Sequence, residues 1–515
     1  MRIGIDVGGT NTDAVIMDGS RVVAATKTPT TPNVGDGIVT ALEQLIAASA
    51  IKGDQIDGVM IGTTHFTNAI VERKHLQPTA IIRLGLPATV CLPPMVDFPD
   101  DLRAAINRRY FLAHGGHEFD GREISPFEPN EIRFIAEEIA SKGIKAIAIS
   151  SVFSPINSVF EERAAEIVQT IIPDAHITLS SKIGRIGLLE RENAAILNAC
   201  LRVLAERTIA GFKSALASSQ IDAPFYISQN DGTLMSADFA ADYPVLTFAS
   251  GPTNSMRGAA FLSGLKDAIV IDVGGTTTDV GVLQRGFPRV AALAVNIGGV
   301  RTNFRMPDTL SIGLGGGSLV REGSPVKVGP QSVGYEITSK ALVFGGDTLT
   351  TTDIAVAAGY ADVGDKMRVT GLDRTLVRAA QDRIEALVNN AVDRMKTSAA
   401  PMPVIAVGGG SILLKRPIAG ASEIILPEHF AVANAIGAAI AQIGGETDRI
   451  FSLASMSRDE ALATAKQEAT DKAVAAGARR ESVEIVEVEE VPLAYLPGNA
   501  TRIMVKAVGD LAEGV

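Results

Sequence analysis

Residues 5–13 read Ile-Asp-Val-Gly-Gly-Thr-Asn-Thr-Asp, and residues 271–279 read Ile-Asp-Val-Gly-Gly-Thr-Thr-Thr-Asp. Only Asn11 and Thr277 differ between them, and the offset is 266 residues in a chain of 515. A solenoid would repeat many times at short spacing, so two copies half a chain apart predict two related halves. Each copy follows a short β-branched run, residues 3–7 or 269–273, and leads into a second apolar run, residues 14–17 or 280–283. Such runs predict buried strands, so each copy reads as a hairpin with a glycine-rich turn. Neither is followed by GxxxxGK[ST] or GxGxxG, which excludes the strand-to-helix phosphate loops.

The chemistry of the repeat follows from its residue types. Glycine lets the backbone approach a phosphate and turn its N–H groups inward, and threonine adds a rotatable donor. Asp6 and Asp272 end their strands just before the turn, where a bare carboxylate would repel phosphate. A Mg²⁺ ion bridging carboxylate and phosphate oxygens, partly through water, resolves the conflict. The sequence therefore predicts that Asp6 and Asp272 hold Mg²⁺. Gly8, Gly9, Thr10, Asn11 and Thr12 would cradle phosphates from one side, and Gly274, Gly275, Thr276 and Thr277 from the other. Asp13 and Asp279 are read first as hydrogen-bonding braces of the hairpins. A third glycine-rich site, Gly408-Gly409-Gly410-Ser411, ends an apolar strand predicted over 404–407 and suits a flat ligand such as adenosine.

The rest of the chain alternates helix and strand. Helices are predicted over 36–48, 131–142, 160–172, 188–217, 374–396 and 430–442, with strands over 58–62, 144–153 and 423–426. Such alternation predicts an α/β fold of mixed or parallel sheets with covering helices. Length alone requires at least two domains. The boundaries are drawn at 1–185, 186–455 and 456–515. The last segment, a charged alanine-rich helix and two strands, reads as a small α+β appendage packed on the second half or used in an oligomer contact. The net charge of −11, with no tryptophan, argues against nucleic acid as a partner. Two isolated cysteines, Cys91 and Cys200, make no disulfide framework or zinc site. The longest apolar stretch, residues 431–441, is far short of the ~20 residues of a membrane span. A soluble, cytoplasmic protein is expected.

The order of hairpin, hairpin and adenosine loop resembles the actin-like (ribonuclease H-like) ATPases, in which two α/β halves face a nucleotide cleft. Further blocks narrow the resemblance. Residues 62–74 (GTTHFTNAIVERK), 114–121 (HGGHEFDG), 231–235 (DGTLM), 250–252 (SGP), 312–318 (IGLGGGS) and 328–332 (VGPQS) are similar, in order, to signatures of the hydantoinase A/5-oxoprolinase family. The chain looks like a short form of that family. Residues 83–99 and the Gly334-Tyr335-Glu336 continuation depart from the larger members' text. The resemblance implies ATP and Mg²⁺ as cofactors and a small cyclic amide or ketone as substrate. It also implies activation by phosphorylation of the carbonyl oxygen, with a hydantoinase B-like partner subunit or a homo-oligomer. A small-molecule kinase or a nucleotide-dependent scaffold on the same fold are the alternatives; the cysteine-rich zinc motif of one kinase group is absent.

His65, inside the 62–74 block, is a candidate to orient substrate or take a proton, against a plain packing role. His114 and His117 have HxxH spacing, for which a loop brace is preferred to a metal site. Glu72, Arg73 and Lys74 either make the site polar or end a solvated helix. Ser250, Gly251 and Ser318 are read as lying in turns lining the cleft.

Overall fold

A computed structural model describes residues 1–30, 34–49, 51–291, 295–303, 305–494 and 498–512. Both repeats are hairpins. Arg2–Val7 pairs antiparallel with Asn11–Asp18, and Ala268–Val273 pairs antiparallel with Thr278–Gln284. The branched apolar residues of both first strands are buried: Ile3, Ile5, Ile269 and Ile271 are fully buried. Each such side chain contributes roughly 1.5–3 kcal/mol. On its other edge each first strand takes a parallel partner, Gly58–Thr63 in one half and Met402–Val407 in the other. The two halves thus share one local plan, as the repeat and the actin-like resemblance predict.

The first hairpin lies in a nine-stranded sheet. Its order is Glu484–Pro492, Ala500–Gly509, Gln442–Ser452, Thr233–Ser236, Phe225–Ser228, Gly58–Thr63, Arg2–Val7, Asn11–Asp18 and Arg21–Pro29. The second hairpin lies in a six-stranded sheet, in which Thr309–Ile312 pairs with Thr278–Gln284 and Ala421–Ile425 flanks Met402–Val407. A third sheet, entirely parallel, is inserted into the first 185 residues: Arg109–His114, Thr79–Leu86, Ala146–Ser151 and His176–Leu179. Helices Pro129–Ser141 and Val159–Ile171 share its core. Helix Leu188–Ser218, close to the predicted span, carries Glu192 against Arg83 of this sheet; both are fully buried. Ser150 Oγ also donates to Glu192 Oε2 at 2.6 Å.

Two sequence expectations are corrected. The segment after Ser457 packs on residues 442–452 of the expected second half, but that strand belongs to the sheet of the first hairpin. Its strand Ala500–Gly509 pairs along its whole length with Gln442–Ser452 and so extends the sheet of the first hairpin. Helix Arg458–Ala475 covers that extension through Ala461, Ala465, Ala469 and Ala473, all fully buried. Gly445 makes the fit possible, since a Cβ there would lie 2.2 Å from the Ala469 carbonyl oxygen. The helix expected over 430–442 is confined to Ala433–Ala439, and Gln442 already begins a strand.

Candidate active site

Register builds the site before any side chain is considered. Across the first sheet Gly62, Asp6, Asp13 and Lys27 stand in one row. Across the second, Val407, Asp272, Asp279 and Ser311 stand in the equivalent row. Directly opposed residues project to the same face, so each hairpin carries a pair of carboxylates. Glycine makes room beside them. A Cβ on Gly62 would lie 2.5 Å from Asp6 Oδ1, and one on Gly408 would lie 2.2 Å from Asp272 Oδ1.

Each pair is held by polar groups of other elements. Asn434 Nδ2 donates to Asp6 Oδ2 at 3.0 Å and to Asp13 Oδ2 at 2.8 Å. Asn254 Nδ2 reaches Asp6 Oδ1 at 3.5 Å, and Lys27 Nζ forms an ion pair with Asp13. Ser255 Oγ donates to Asp272 and Ser311 Oγ to Asp279. Asn254 and Ser255 belong to helix Ser250–Ser263, and Asn434 to Ala433–Ala439. These helices cross backbone against backbone. A Cβ on Gly258 would lie 1.8 Å from Ala433 O, and one on Gly437 would lie 1.8 Å from Asn254 O. That contact brings the three donors to the hairpins. Residues 250–252 are accordingly the buried start of a helix, with Ser250 Oγ donating to Thr63 O at 3.1 Å, and not a turn lining the cleft.

The carboxylates are energetically loaded. Burial, with Asp13 adding like charge, pushes Asp6 up to about 7 despite the two asparagine donors. Burial also raises Asp272 and takes Asp279 up to about 6. Negative charge concentrated this way favours a cation. Among the described residues no group of three or more His, Cys, Asp or Glu surrounds one ion position. This donor set fits Mg²⁺, which keeps several waters and takes one or two carboxylates together with phosphate oxygens.

The two turns meet. Thr10 Oγ1 lies 3.5 Å from Thr276 Oγ1, and a Cβ on Gly275 would lie 3.1 Å from Thr10 Cγ2. Gly8 and Gly274 donate their N–H groups to Asn11 O at 3.0 Å and Thr277 O at 2.9 Å, closing the two hairpins in the same way. They are therefore braces. The N–H groups of Gly9, Thr10, Gly275 and Thr276 have no acceptor among the described residues. Gly9 faces open space. Thr12 is buried behind the turn, 3.4 Å from the Thr30 hydroxyl, and cannot face a ligand there. Residues 312–318 support the second turn: Gly316 and Gly317 donate to Gly274 O at 3.0 Å and Gly275 O at 2.7 Å. Ser318 is fully buried and accepts from Gly315 N at 2.8 Å. In the adenosine-loop candidate, Gly408 has φ +84° and Gly410 packs on Val273, while Gly409 alone faces open space.

His65 begins helix His65–Glu72, next to Thr64, whose hydroxyl donates to Val7 O at 3.4 Å. The ring is half-buried, burial lowers its pKa, and it makes no hydrogen bond to the four carboxylates among the described residues. His114 pairs with Glu131, whereas His117 stacks on Phe160 at 4.4 Å and contacts Asn157 at 3.1 Å. They form no shared metal site. Arg73 binds Gly298 O at 2.8 Å and Asp101, a structural clamp rather than a cleft group. Sequence reasoning missed Lys27, Asn254, Ser255 and Asn434. Counting strand register back through the hairpin would have found Lys27.

The comparisons agree with this geometry. Residues 2–172 match the hydantoinase/oxoprolinase N-terminal region, and residues 191–365 match hydantoinase/oxoprolinase. The acetophenone carboxylase gamma subunit of Aromatoleum aromaticum is 27% identical over 70% of this chain and 53% of its own. The caprolactamase subunit alpha of Pseudomonas jessenii is 26% identical over 75% of this chain and 58% of its own. The chain thus spans a little over half the length of these relatives. The crystal structure of the P. jessenii ATP-dependent caprolactamase superposes with a TM-score of 0.79 at 19% identity, over 99% of this chain and 88% of that one. A nucleotide-free acetone carboxylase gives 0.71 at 18%, over 100% and 88%. Among the described residues no helix is long and apolar enough to cross a membrane. With residues 2–172 and 191–365 matched and the paired hairpins in place, this protein belongs to the hydantoinase/oxoprolinase family.

Proposed function

We propose that the chain is an ATP-dependent activating subunit that phosphorylates the carbonyl oxygen of a small cyclic amide or a ketone. The observation that carries this reading is the meeting of two Asp-Val-Gly-Gly-Thr turns at Thr10 and Thr276, each with unspent N–H groups. Facing donor loops clamp a polyphosphate from both sides, and phosphoryl transfer needs chiefly positioning and charge neutralisation. Caprolactamase and acetophenone carboxylase, by their names, act on a lactam and a ketone. Both substrates carry an unactivated carbonyl carbon. Attack of the amide oxygen on the terminal phosphorus of ATP, with ADP leaving and the N–H proton lost, gives a phosphorylated imidate whose carbon is electrophilic; a ketone first loses an α proton, and its enolate oxygen takes the phosphoryl group.

In this scheme Gly9, Thr10, Gly275 and Thr276 donate to phosphate oxygens, and Asp6 and Asp272 hold the cation. Mg²⁺, when bound, neutralises charge on the phosphates. Asn434 and Lys27 keep Asp13 and Asp6 in place, and Gly409 leaves room for a nucleoside. His65, whose neighbour Thr64 bonds Val7 before the first turn, would orient a substrate. Opening of the ring or carboxylation of the enol would follow on a partner subunit, as the relatives' names as subunits suggest.

The test is ADP release with candidate lactams, hydantoins and ketones, with and without a co-purified partner. Stimulated release, with ring-opened or carboxylated product only when the partner is present, is the expected result. A stable phosphorylated product would favour the kinase reading. Calorimetry detecting no nucleotide binding in the presence of Mg²⁺ would sink both.

A further inference from the structure

Strands Thr233–Ser236 and Gln442–Ser452 run parallel but share only two register pairs, Thr233 with Gln442 and Leu234 with Ile443. The first then turns into helix Ala237–Asp242, while the second continues beside Ala500–Gly509. Splayed carboxyl ends of parallel strands are where α/β sheets hold ligands. A cavity of 710 Å³ fills this crevice, of the size that takes a small molecule. None of the hairpin-turn residues lines it.

Most charges around the cavity have close partners; Lys182, half-exposed, has only Glu162 at 3.9 Å, and Arg185 is the other loosely paired cation. Arg305 lies between Glu446, at 3.0 Å, and Glu487. Lys506 meets Asp231 at 2.8 Å. Arg502 grips both oxygens of Asp448 through Nε, at 2.7 Å, and Nη2. Lys472 Nζ donates to the Glu446 carbonyl at 2.7 Å. Arg185 is the more buried of the two loosely paired cations. Its Nε stands 3.7 Å from the already occupied Asp448 Oδ2, beyond hydrogen-bond reach, and its side chain donates to no acceptor among the described residues. Burial and the like charge of Arg502 lower its pKa, against the opposing charge of Asp448 and Glu446. Its backbone, by contrast, is fixed: the N–H donates to Asn303 at 3.2 Å and the carbonyl accepts from Arg191 at 2.9 Å. A guanidinium that shares its acid, Asp448, with the closer Arg502 keeps its donors free for a carboxylate.

We propose that this cavity binds a small monocarboxylate, paired with the Arg185 guanidinium. A doubly charged phosphate is disfavoured, because Asp231, Glu446 and Asp448 line the same space. The site is separate from the phosphate turns and stands whether or not the activation chemistry above is right.

Calorimetric titration of the full chain tests it, using propionate, lactate and 5-oxoproline at constant ionic strength. Neutral 2-pyrrolidinone and inorganic phosphate are the comparison ligands. Saturable binding of at least one carboxylate is expected, weakened at least tenfold in Arg185→Gln and partly restored in Arg185→Lys. The melting midpoint and Mg²⁺–ATP binding of both variants should match the parent. The proposal is overturned if no carboxylate saturates, if Arg185→Gln binds as the parent does, or if 2-pyrrolidinone or phosphate binds as tightly as the carboxylates.

Discussion

The hydroxyl oxygens of Thr10 and Thr276 lie 3.5 Å apart, and the two residues hold the same place in two copies of one motif. The duplicated turns therefore face each other through equivalent atoms. Each turn carries N–H donors without an acceptor among the described residues, and each hairpin a pair of carboxylates.

Asp272 is the first residue to test. Asp272→Ala should lower ATP turnover by about 100-fold or more, the scale for losing one preorganised charge contact. Stability should not suffer, since the change removes a carboxylate whose charge burial already disfavours. Steady-state ADP release and a melting curve on the same preparation check both halves. Undiminished turnover would refute the cation assignment.

Lys27 should matter although it lies outside every glycine-rich block. Its ammonium pairs with Asp13, and Asn434 bridges Asp13 to Asp6. Lys27→Met should cut kcat on the order of tenfold with a smaller change in KM for ATP, because the cation acts through Asp13. A pure KM effect would instead make Lys27 a direct ligand of nucleotide.

The raised carboxylates give a signed pH prediction for the metal-free chain. Asp6 at about 7 and Asp279 at about 6 bind protons in the folded state that the unfolded chain has released above about 4. Their contribution is full below about pH 4 and is lost as pH rises through 6 to 7. In chelator, the unfolding midpoint should therefore be lower at pH 8 than at pH 5.5, and Asp6→Asn should flatten the dependence. An unchanged slope in that variant would contradict the assignment.

Two glycines should behave oppositely. Gly9→Ala enters open space, so the melting midpoint should hold while nucleotide binding weakens. Gly437→Ala drives a methyl to 1.8 Å from Asn254 O in the helix crossing, and should cost more than the ~1–3 kcal/mol of ordinary overpacking. Chemical denaturation and calorimetry distinguish them.

Glu192 and Arg83 are fully buried and paired. Glu192→Ala strands the guanidinium and should cost about 3–5 kcal/mol, whereas Arg83→Met with Glu192→Leu should recover most of it. Equal losses in the single and double variants would show that the stranded charge is not the source of the cost.

Much of this was legible in the chain itself. The hairpins could be read because a strand, a glycine-rich turn and a returning strand are local, and their apolar period is written in consecutive residues. The carboxylates at the turns and the family blocks followed from the same stretches. The tertiary structure decided which distant groups meet those carboxylates. Asn254 and Asn434 arrive only because Gly258 and Gly437 let two helices touch backbone to backbone. It also decided that residues 442–452 and the last two strands extend the sheet of the first hairpin. Alternation along a strand specifies which face is buried, but the choice of neighbouring strand rests on hydrogen bonds between residues hundreds of positions apart, and no local pattern encodes it.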